Sequence, residues 1–529
     1  MRSITFTAAS LAALALAATG CSAGSQPTRA AAEASDVAPD SVTIAVRGVP
    51  GTFDPHKSLL GNGASQSFDV LYDTLVRNKI RTGDAPPEGD PVVPAMAKSW
   101  TTTDDSVTFQ LKDGLTCSDG TPLTATDIAR SVERFGDPKT AAQSLLTSFG
   151  PDGLKSVDAD DDANTVAVTL NKPYPNLLSG MSNVFIICPA GIDDEEGLAT
   201  SPDKGATGPY TMTAYTPGSS YTFTQREDDA AIEDPTALPK EITIRVVADD
   251  TTRANLITSG DVDIAPVLGR DAKRLEATRT PIVGAPSIAH TALMNQKKGH
   301  ATSDKRIREA ISYAVDPAQY SQATTFGAGK PSQTLYTPNT TCYDKDNAAL
   351  GRPYDLEKAK ALVKEAGYGP GGKELVLNVV GWNDQKNGAE YVADTLRKLG
   401  AKVTTRTGTQ DQVVGILFGK GDWDVVMVAL DQTTYAPAGP VVFVSDAFGP
   451  SLNVGGVKNK TYDSTISEAA RTPGEAGCEL WSKAEATLLE EADVKPLTWM
   501  LINWFANDDL TFEATYLWVD SRTIRTPKG

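Results

Sequence analysis

Polar and apolar residues alternate in several short stretches of the chain, and alternation of this kind predicts strands. Residues 41–48 (SVTIAVRG) form the first such stretch. In residues 106–114 (SVTFQLKDG), Val107, Phe109 and Leu111 fall on one face. We therefore expect half-buried strands that turn one face toward a core.

Other stretches repeat their apolar residues at helical spacing, as in residues 65–78 and 124–135. In the second of these stretches, Thr124 stands at the N-cap position and Asp127 is the third helical residue, which is a capping arrangement. The pattern thus predicts where this helix begins.

Helical and strand patterns alternate in the second half of the chain. Residues 355–369 and 387–400 predict helices, and residues 374–381 and 401–407 predict strands. This order predicts α/β lobes with mixed sheets flanked by helices. Because 529 residues exceed the roughly 250–300 at which single cores stop growing, we expect two or three lobes.

The chain begins with a positive charge and an uncharged apolar run over residues 4–18. The run is shorter than the roughly 20 residues of a membrane span and has the form of a secretory signal. It ends in residues 18–21 (ATGC), which resemble the bacterial lipobox except at Ala18, where leucine is more usual. We expect a signal peptide over residues 1–20 and lipidation of Cys21, with an ordinary secreted protein as the alternative.

Residues 21–41 are rich in Ser, Ala and Pro and have nothing to bury, so we expect a disordered tether. No later stretch is apolar and long enough to span a membrane. The net charge of −18 argues against nucleic acid and anionic lipid surfaces as partners. The mature chain is therefore predicted to be a globular body held at the membrane by its N-terminal lipid.

Four cysteines remain beyond Cys21: Cys117, Cys188, Cys342 and Cys478. An even number in an exported protein predicts two disulfides, and four cysteines allow three pairings. We favour Cys117–Cys188 with Cys342–Cys478, because each bond then closes within one half of the molecule. A zinc site is the weaker alternative, since no CxxC pair occurs and the chain has three histidines.

Common catalytic motifs are missing from the sequence, which contains no GxSxG elbow, no HExxH and no GxxxxGK[ST] loop. Residues 158–164 (DADDDAN) resemble the start of a calcium loop, but Ala163 and Thr169 stand where that loop needs Gly and Glu. A solvated hairpin turn is the better interpretation. We expect no enzyme activity, no cofactor and no metal.

Four segments in sequence order carry a resemblance to a known family. Residues 92–135 contain Pro-x-x-Ala-x-Ser-Trp, then Ser-Asp-Gly-Thr-Pro and a helix opened by Ala-x-Asp. Residues 206–219 and 251–265 follow, and residues 292–316 contain Asn and then Arg-x-Ala-x-x-x-Ala-x-Asp. The chain thus resembles, from about residue 42 to its C-terminus, the extracytoplasmic solute-binding proteins of ABC importers, specifically the family 5 of oligopeptide-, dipeptide- and nickel-binding proteins.

The resemblance implies an α/β, two-lobed, periplasmic-binding-protein-like fold of type II, in the large class that carries an extra subdomain. Its cleft would close about a hinge. Lobe I would comprise residues 42–75, 205–288 and 495–529, the extra subdomain residues 76–204, and lobe II residues 289–494.

The resemblance also implies the function, which would be to capture an oligo- or dipeptide between the lobes and deliver it to a membrane permease. Trp382 follows Gly381 at a predicted strand end, where clefts in α/β lobes open. The candidate ligand-binding residues are Phe53, Asp54, Asn295, Trp382, Asn383, Asp431, Thr433 and Tyr435.

One departure from the family bears on the ligand. In peptide-binding members an aspartate after a Gly-Trp pair binds the α-ammonium group of the peptide. Here Leu430 stands where Trp is usual, and Thr433 stands at the aspartate position. Asp431 lies two residues earlier and would share the strand face of Thr433. It is a candidate substitute, with a structural or surface aspartate as the alternative.

Other functions stay open at this point. An oligosaccharide or another polar solute is the main alternative ligand, and nickel is less favoured because His56, His290 and His300 lie in unrelated segments. A cell-surface hydrolase and a ligand-presenting sensor are more remote. We expect a monomer, lipid-anchored at the extracytoplasmic face of a bacterial cell membrane.

Overall fold

The computed structural model describes residues 37–526 except residues 49, 59–61, 81–90, 143, 202–203, 228–230, 233, 284–287, 420, 432–443, 448–452, 508–509 and 516. The predicted signal peptide, Cys21 and most of the predicted tether lie outside the described residues, as do Thr433 and Tyr435.

Within the described residues the chain forms nineteen strands and fifteen α-helices. The strands are β1 (Ser41–Val46), β2 (Val76–Asn78), β3 (Val92–Pro94), β4 (Ala97–Thr102), β5 (Ser106–Leu111), β6 (Leu154–Asp160), β7 (Thr165–Leu170), β8 (Tyr210–Thr216), β9 (Ser220–Gln225), β10 (Glu241–Val246), β11 (Ile264–Val267), β12 (Ile282–Val283), β13 (Ile288–Met294), β14 (Lys330–Pro331), β15 (Val376–Trp382), β16 (Lys402–Gly408), β17 (Val425–Asp431), β18 (Val494–Met500) and β19 (Asn503–Ala506). The helices are α1 (Asn62–Leu71), α2 (Ala125–Gly136), α3 (Leu145–Phe149), α4 (Leu177–Gly180), α5 (Pro189–Asp193), α6 (Glu195–Thr200), α7 (Asp250–Ser259), α8 (Gly269–Glu276), α9 (Lys305–Ala314), α10 (Pro317–Thr325), α11 (Leu356–Glu365), α12 (Lys386–Lys398), α13 (Gln410–Phe418), α14 (Lys460–Ala469) and α15 (Gly474–Glu490).

Local sequence patterns account for several of these elements. Val107, Phe109 and Leu111 are buried along one face of β5, which confirms the predicted alternation. At the start of α2 the Thr124 hydroxyl accepts the Asp127 N–H, and the Asp127 carboxylate accepts the Thr124 N–H. This reciprocal pair satisfies two backbone donors at the helix start, so the predicted capping is confirmed.

A seven-stranded sheet, in the order β12–β19–β11–β1–β10–β9–β8, forms the first body, which we call lobe I. β1 runs parallel to its neighbours β10 and β11, and Ile44 lies opposite Ile244 and Ile264. Ile44 packs into the core on one face and Ala45 into the core on the other. Burial on both faces explains why this central strand is apolar nearly throughout.

A six-stranded sheet, in the order β14–β18–β13–β17–β15–β16, forms the second body, lobe II. Every residue of its central strand β13 is buried. Leu293 belongs to the core under α14 and α15, and Ala292 belongs to the core under α9 and α12. Lobe II is thus a sheet covered by helices on both faces, as the alternating patterns predict.

Between β1 and β8 the chain builds a smaller body that we call the subdomain, residues 76–204. It contains a four-stranded antiparallel sheet in the order β4–β5–β7–β6, the β2–β3 pair and helices α2 to α6. Its strands and α2 enclose a hydrophobic core of their own. The acidic segment 158–164 comprises the end of β6 and the turn that joins it to β7, so the hairpin interpretation is confirmed.

Among the described strands, the chain passes between the two large sheets twice, once from β12 to β13 and once from β18 to β19. We propose that these two crossings divide lobe I from lobe II. Because β18 pairs with β13 and β14, residues 494–500 belong to the lobe II sheet, and we place the last boundary near residue 501 instead of 495.

Two disulfides join Cys117 to Cys188 and Cys342 to Cys478, which confirms the favoured pairing. The first bond lies in the subdomain and the second in lobe II. No helix in the described part of the chain is both long enough and apolar enough to cross a membrane.

A buried carboxyl group fixes the loop that carries Cys342. Glu485 of α15 is fully buried, and its Oε1 accepts the N–H groups of Leu335 and Tyr336 at 2.5 and 3.2 Å. Its Oε2 accepts the side-chain amide of Asn347 at 2.8 Å. Burial raises the pKa of Glu485 to about 7, although these hydrogen bonds lower it.

We expect the burial of Glu485 to make stability depend on pH. The group keeps its proton in the folded protein up to a pKa of about 7, against about 4.5 in the unfolded chain. Between these values the folded chain binds one more proton, so the free energy of unfolding decreases as pH rises, by about 3 kcal/mol in all. Denaturant unfolding of the wild type and of Glu485→Gln at pH 5 and pH 8 measures this dependence. The free energy of unfolding should decrease more in the wild type than in Glu485→Gln, and equal decreases in the two proteins would contradict the prediction.

Candidate ligand-binding cleft

The carboxyl ends of the parallel strands mark one edge of each large sheet, which we call its carboxyl edge. In lobe I, β1, β10 and β11 end there at Val46, Val246 and Val267. Asn503, the first residue of β19, lies opposite both Val267 and Val283. The chain therefore leaves lobe I through β12 and returns through β19 at this edge.

Lobe II has the same arrangement. β15, β16 and β17 run parallel, and Asp431 at the end of β17 lies opposite Ile288 at the start of β13. Met500, at the end of β18, also lies opposite Ile288. The two residues 501–502 link β18 to β19, and a chain step spans about 3.8 Å, so the two carboxyl edges approach within about 11 Å at this crossing.

A crevice outside the carboxyl ends of strands is where open α/β sheets bind ligands. Here both large sheets turn such an edge toward the same pair of crossings, and the space between the two edges is the candidate cleft.

The lobe I side of the cleft is held by a buried arginine. Arg253 of α7 donates from Nε to the Pro266 carbonyl at 2.7 Å and pairs through Nη2 with Asp250 at 2.5 Å. Asp250 in turn accepts the Leu268 N–H at 2.9 Å. These bonds fix the turns that follow β10 and β11. Arg47 directly follows β1 at the same edge.

The lobe II side carries aromatic residues. Trp382, the last residue of β15, is half-buried against the core below α14 and α15, and the exposed Asn383 begins a 3₁₀ turn after it. The structure thus places both predicted residues at the carboxyl edge.

Sequence reasoning did not single out Trp499, which lies opposite Ala289 in the same row as Leu430. Its ring meets Tyr343 edge to face, with 5.8 Å between centroids. Within the described residues its buried Nε1–H has no hydrogen-bond partner. An unsatisfied indole donor near the end of β18 is suited to a polar atom of a ligand. The apolar run around Trp499 gives no signal for this role, because a tryptophan of the core has the same kind of neighbours in a sequence.

Phe53 is placed in the core of lobe I. Only 6% of its surface is exposed, and its ring centroid lies 5.8 Å from that of Tyr221 and 6.2 Å from that of Tyr215. Tyr215, on the outermost strand β8, is 43% exposed. Of these three rings, Tyr215 is therefore the one most open to solvent.

Asp54 is engaged by an arginine of the subdomain. Arg134 donates from Nη1 to its Oδ1 at 3.1 Å and from Nη2 to its Oδ2 at 2.6 Å. The backbone N–H of His56 also donates to Oδ1, at 3.0 Å. Burial lowers the pKa of His56 to about 4, so its ring is neutral near pH 7. This buried ion pair joins lobe I to α2.

Asn295 follows β13 at the end opposite to the carboxyl edge. Its side-chain amide donates to the carbonyls of Trp423 and Gly421 at 2.9 and 3.3 Å, and its Oδ1 accepts the Lys297 N–H at 3.1 Å. The structure does not bring it together with Trp382. Asp431 ends β17 at the carboxyl edge, whereas Thr433 and Tyr435 lie outside the described residues.

A separate cavity of about 100 Å³ lies between lobe I and the subdomain and is lined by charged residues of α1, β2 and the C-terminal segment. Nη2 of Arg77 lies 2.8 Å from Oδ1 of Asp520 and 3.2 Å from Oδ1 of Asp69. Burial raises the pKa of Asp69, and the Asp520 carboxylate adds to the rise. This space fits several water molecules. Among the described residues no group of His, Cys, Asp or Glu is arranged to hold a metal ion.

A family profile and individual relatives both match this chain. The sequence profile of bacterial extracellular solute-binding proteins, family 5 (middle), matches residues 91–447. The chain is 31% identical to protein XP55 of Streptomyces lividans over 69% of its own length and 63% of that protein. It is 25% identical to the glutathione-binding protein GsiB of Escherichia coli (strain K12), over 76% and 79% of the two chains.

Among solved structures, a substrate-binding protein from Microbacterium hydrocarbonoxydans complexed with 4-hydroxybenzoate hydrazide is 26% identical. The TM-score is 0.78, and the match covers 92% of this chain and 100% of that one. Its fold is that of the periplasmic binding proteins, so the predicted fold class is confirmed.

We expect Asp54→Ala to destabilise the protein, because it leaves the Arg134 guanidinium buried without its main counter-charge. The loss in the free energy of unfolding should be about 3–5 kcal/mol. Glu195→Ala is the matched control, since Glu195 lies 3.5 Å from the same guanidinium but is exposed, and its loss should cost less than about 1 kcal/mol. Denaturant unfolding of both variants measures this, and equal effects would contradict it.

Proposed function

Because the chain belongs to family 5 of the bacterial extracellular solute-binding proteins, we propose that it captures a peptide between its lobes and delivers it to the permease of an ABC importer. The observation that carries the proposal is the meeting of two carboxyl edges at the two crossings. Closure about the crossings encloses a ligand and buries most of its surface.

The residue types at the ends of the central strands support a peptide. Arg47 follows β1 on lobe I, and Asp431 ends β17 on lobe II. A short peptide carries a carboxylate and an ammonium group at neutral pH. We assign the ligand's carboxylate to the Arg47 side and its ammonium group to the Asp431 side. The similarity to GsiB adds support, since glutathione is itself a peptide.

Aromatic residues supply the apolar part of the proposed site. Trp382 and Trp499 both lie near the carboxyl edge of lobe II, and each offers a flat surface for a peptide side chain. The indole N–H of Trp499 offers a donor to the peptide backbone. Asn383 offers an exposed amide beside them.

We propose that Cys21 carries the lipid that holds a monomeric protein at the extracytoplasmic face of the cell membrane, and that the ligand leaves chemically unchanged. The two disulfides are consistent with the oxidising surroundings of an exported protein.

A thermal-shift screen tests the ligand class. At 100-fold above its dissociation constant a bound ligand adds about 2.7 kcal/mol of stability, so a pool of short peptides should raise the melting temperature. A matched pool of oligosaccharides should leave it unchanged. N-acetylation of an active peptide should weaken binding, because it removes the ammonium group assigned to Asp431. If only oligosaccharides raise the melting temperature, the peptide proposal is wrong and the ligand is a sugar.

We expect Trp382→Ala to weaken binding of the active peptide by about 10- to 100-fold, because the variant loses an aromatic surface inside the cleft. Trp100→Ala is the control, since Trp100 packs on the subdomain core, and its affinity should match that of the wild type. Isothermal titration measures both affinities. Wild-type affinity in a folded Trp382→Ala variant would remove Trp382 from the site.

A further inference from the structure

Buried polar contacts fasten the subdomain to lobe I, so we expect the two to move together. Besides the Asp54–Arg134 ion pair, the Ile186 N–H donates to the Asp73 carbonyl at 2.9 Å, and the Ser118 N–H donates to the Ala206 carbonyl at 3.0 Å. Separating these surfaces would expose a buried ion pair and leave backbone groups unpaired, which is costly.

The subdomain holds one carboxylate in a rigid loop between α3 and β6. Asp152 lies between Gly150 and Gly153, whose φ angles of 69° and 72° fall in the left-handed region that suits glycine. The Asn171 side chain donates to the carbonyls of Asp152 and Leu154 at 2.9 and 3.1 Å. The backbone that carries Asp152 is thus fixed within the subdomain.

An arginine of lobe II reaches this carboxylate. Arg471 follows α14, and its Nε and Nη2 lie 2.9 and 2.6 Å from Oδ2 of Asp152, while its Nη1 donates to the Ser467 carbonyl. Each of the three guanidinium nitrogens of Arg471 is therefore held by a hydrogen bond. Oδ1 of Asp152 lies 3.1 Å from Nζ of Lys172, a residue of the subdomain itself.

The Asp152–Arg471 contact bridges bodies that the chain joins only by a long path. The two residues are 319 positions apart, and the chain between them runs through lobe I and a crossing. Both side chains are largely shielded, with 23% and 33% of their surfaces exposed, so solvent screens the pair less than a fully exposed one.

We propose that the ion pair between Asp152 and Arg471 is a latch that stabilises the closed arrangement of the lobes, and that the subdomain supplies its lobe I half. Opening about the crossings separates the two charges, because Asp152 moves with lobe I and Arg471 with lobe II. The latch rests on the proposed closure but not on the identity of the ligand.

A second contact also joins lobe I to lobe II. The Phe326 ring of lobe II packs on Gly269, where an added Cβ would come within 2.9 Å of it, and the Arg270 guanidinium lies 6.0 Å from the ring centroid. This contact pairs an apolar ring with a cation and has no carboxylate. The Asp152–Arg471 pair is therefore the contact whose strength should respond most to neutralisation of one charge.

Double electron–electron resonance on the ligand-free full chain tests the latch. Spin labels attached through non-natural amino acids at the exposed residues Lys139 and Lys364 report the distance between subdomain and lobe II and leave the native disulfides intact. In the wild type we expect a short distance. Arg471→Gln should lower the ratio of short to long distances about fivefold, and Asp152→Asn should do the same.

Lys172→Gln is the matched control, because it removes a positive charge beside Asp152 without touching lobe II, and it should keep the wild-type distribution. The double variant Asp152→Asn/Arg471→Gln should be no more open than either single variant, since both remove one interaction. Added salt should open the wild type but not the double variant. An unchanged distribution in folded Arg471→Gln, or equal opening in Lys172→Gln, would overturn the proposal. Because no ligand is used, neither result depends on whether peptides bind.

Discussion

The pairing of the two chain segments that pass between the large sheets is the constraint on which the rest of the structure depends. β12 pairs with β19 on the lobe I side, and β13 pairs with β18 on the lobe II side. The two chain segments are thus paired with each other in the lobe I sheet and again in the lobe II sheet. This double pairing places both crossings side by side, and it turns the carboxyl edges of two separate sheets toward one space.

Much of the fold could be predicted because its signals are local. The capping at Thr124, the alternation in β5 and the turn between β6 and β7 each depend on residues a few positions apart. The boundary near residue 501 could not be predicted in this way. Residues 494–506 (VKPLTWMLINWFA) form one apolar run without a Gly or a central turn signal, and the split into β18 and β19 depends on which sheet each half joins.

The candidate site was less accessible to sequence reasoning, because long-range contacts decide what each polar side chain does. Asp54 is a candidate ligand-binding residue on the sequence, but the arginine that holds it comes from α2, 80 positions away. Asn295 donates to a carbonyl 128 positions away. The positions of Trp382 and Asn383 could be predicted, because a strand followed by a turn is itself a local signal. The surroundings of Trp499, by contrast, are created by the pairing of β18 with β13.

The placement of the disulfides has a consequence for motion in an oxidising environment. Cys117–Cys188 closes a ring inside the subdomain, and Cys342–Cys478 closes a ring inside lobe II. Neither covalent ring encircles a passage between the sheets. On the proposed function, oxidation therefore stiffens the subdomain and lobe II each by itself and adds no covalent restraint on closure about the crossings, so that ligand binding and release require no change in redox state.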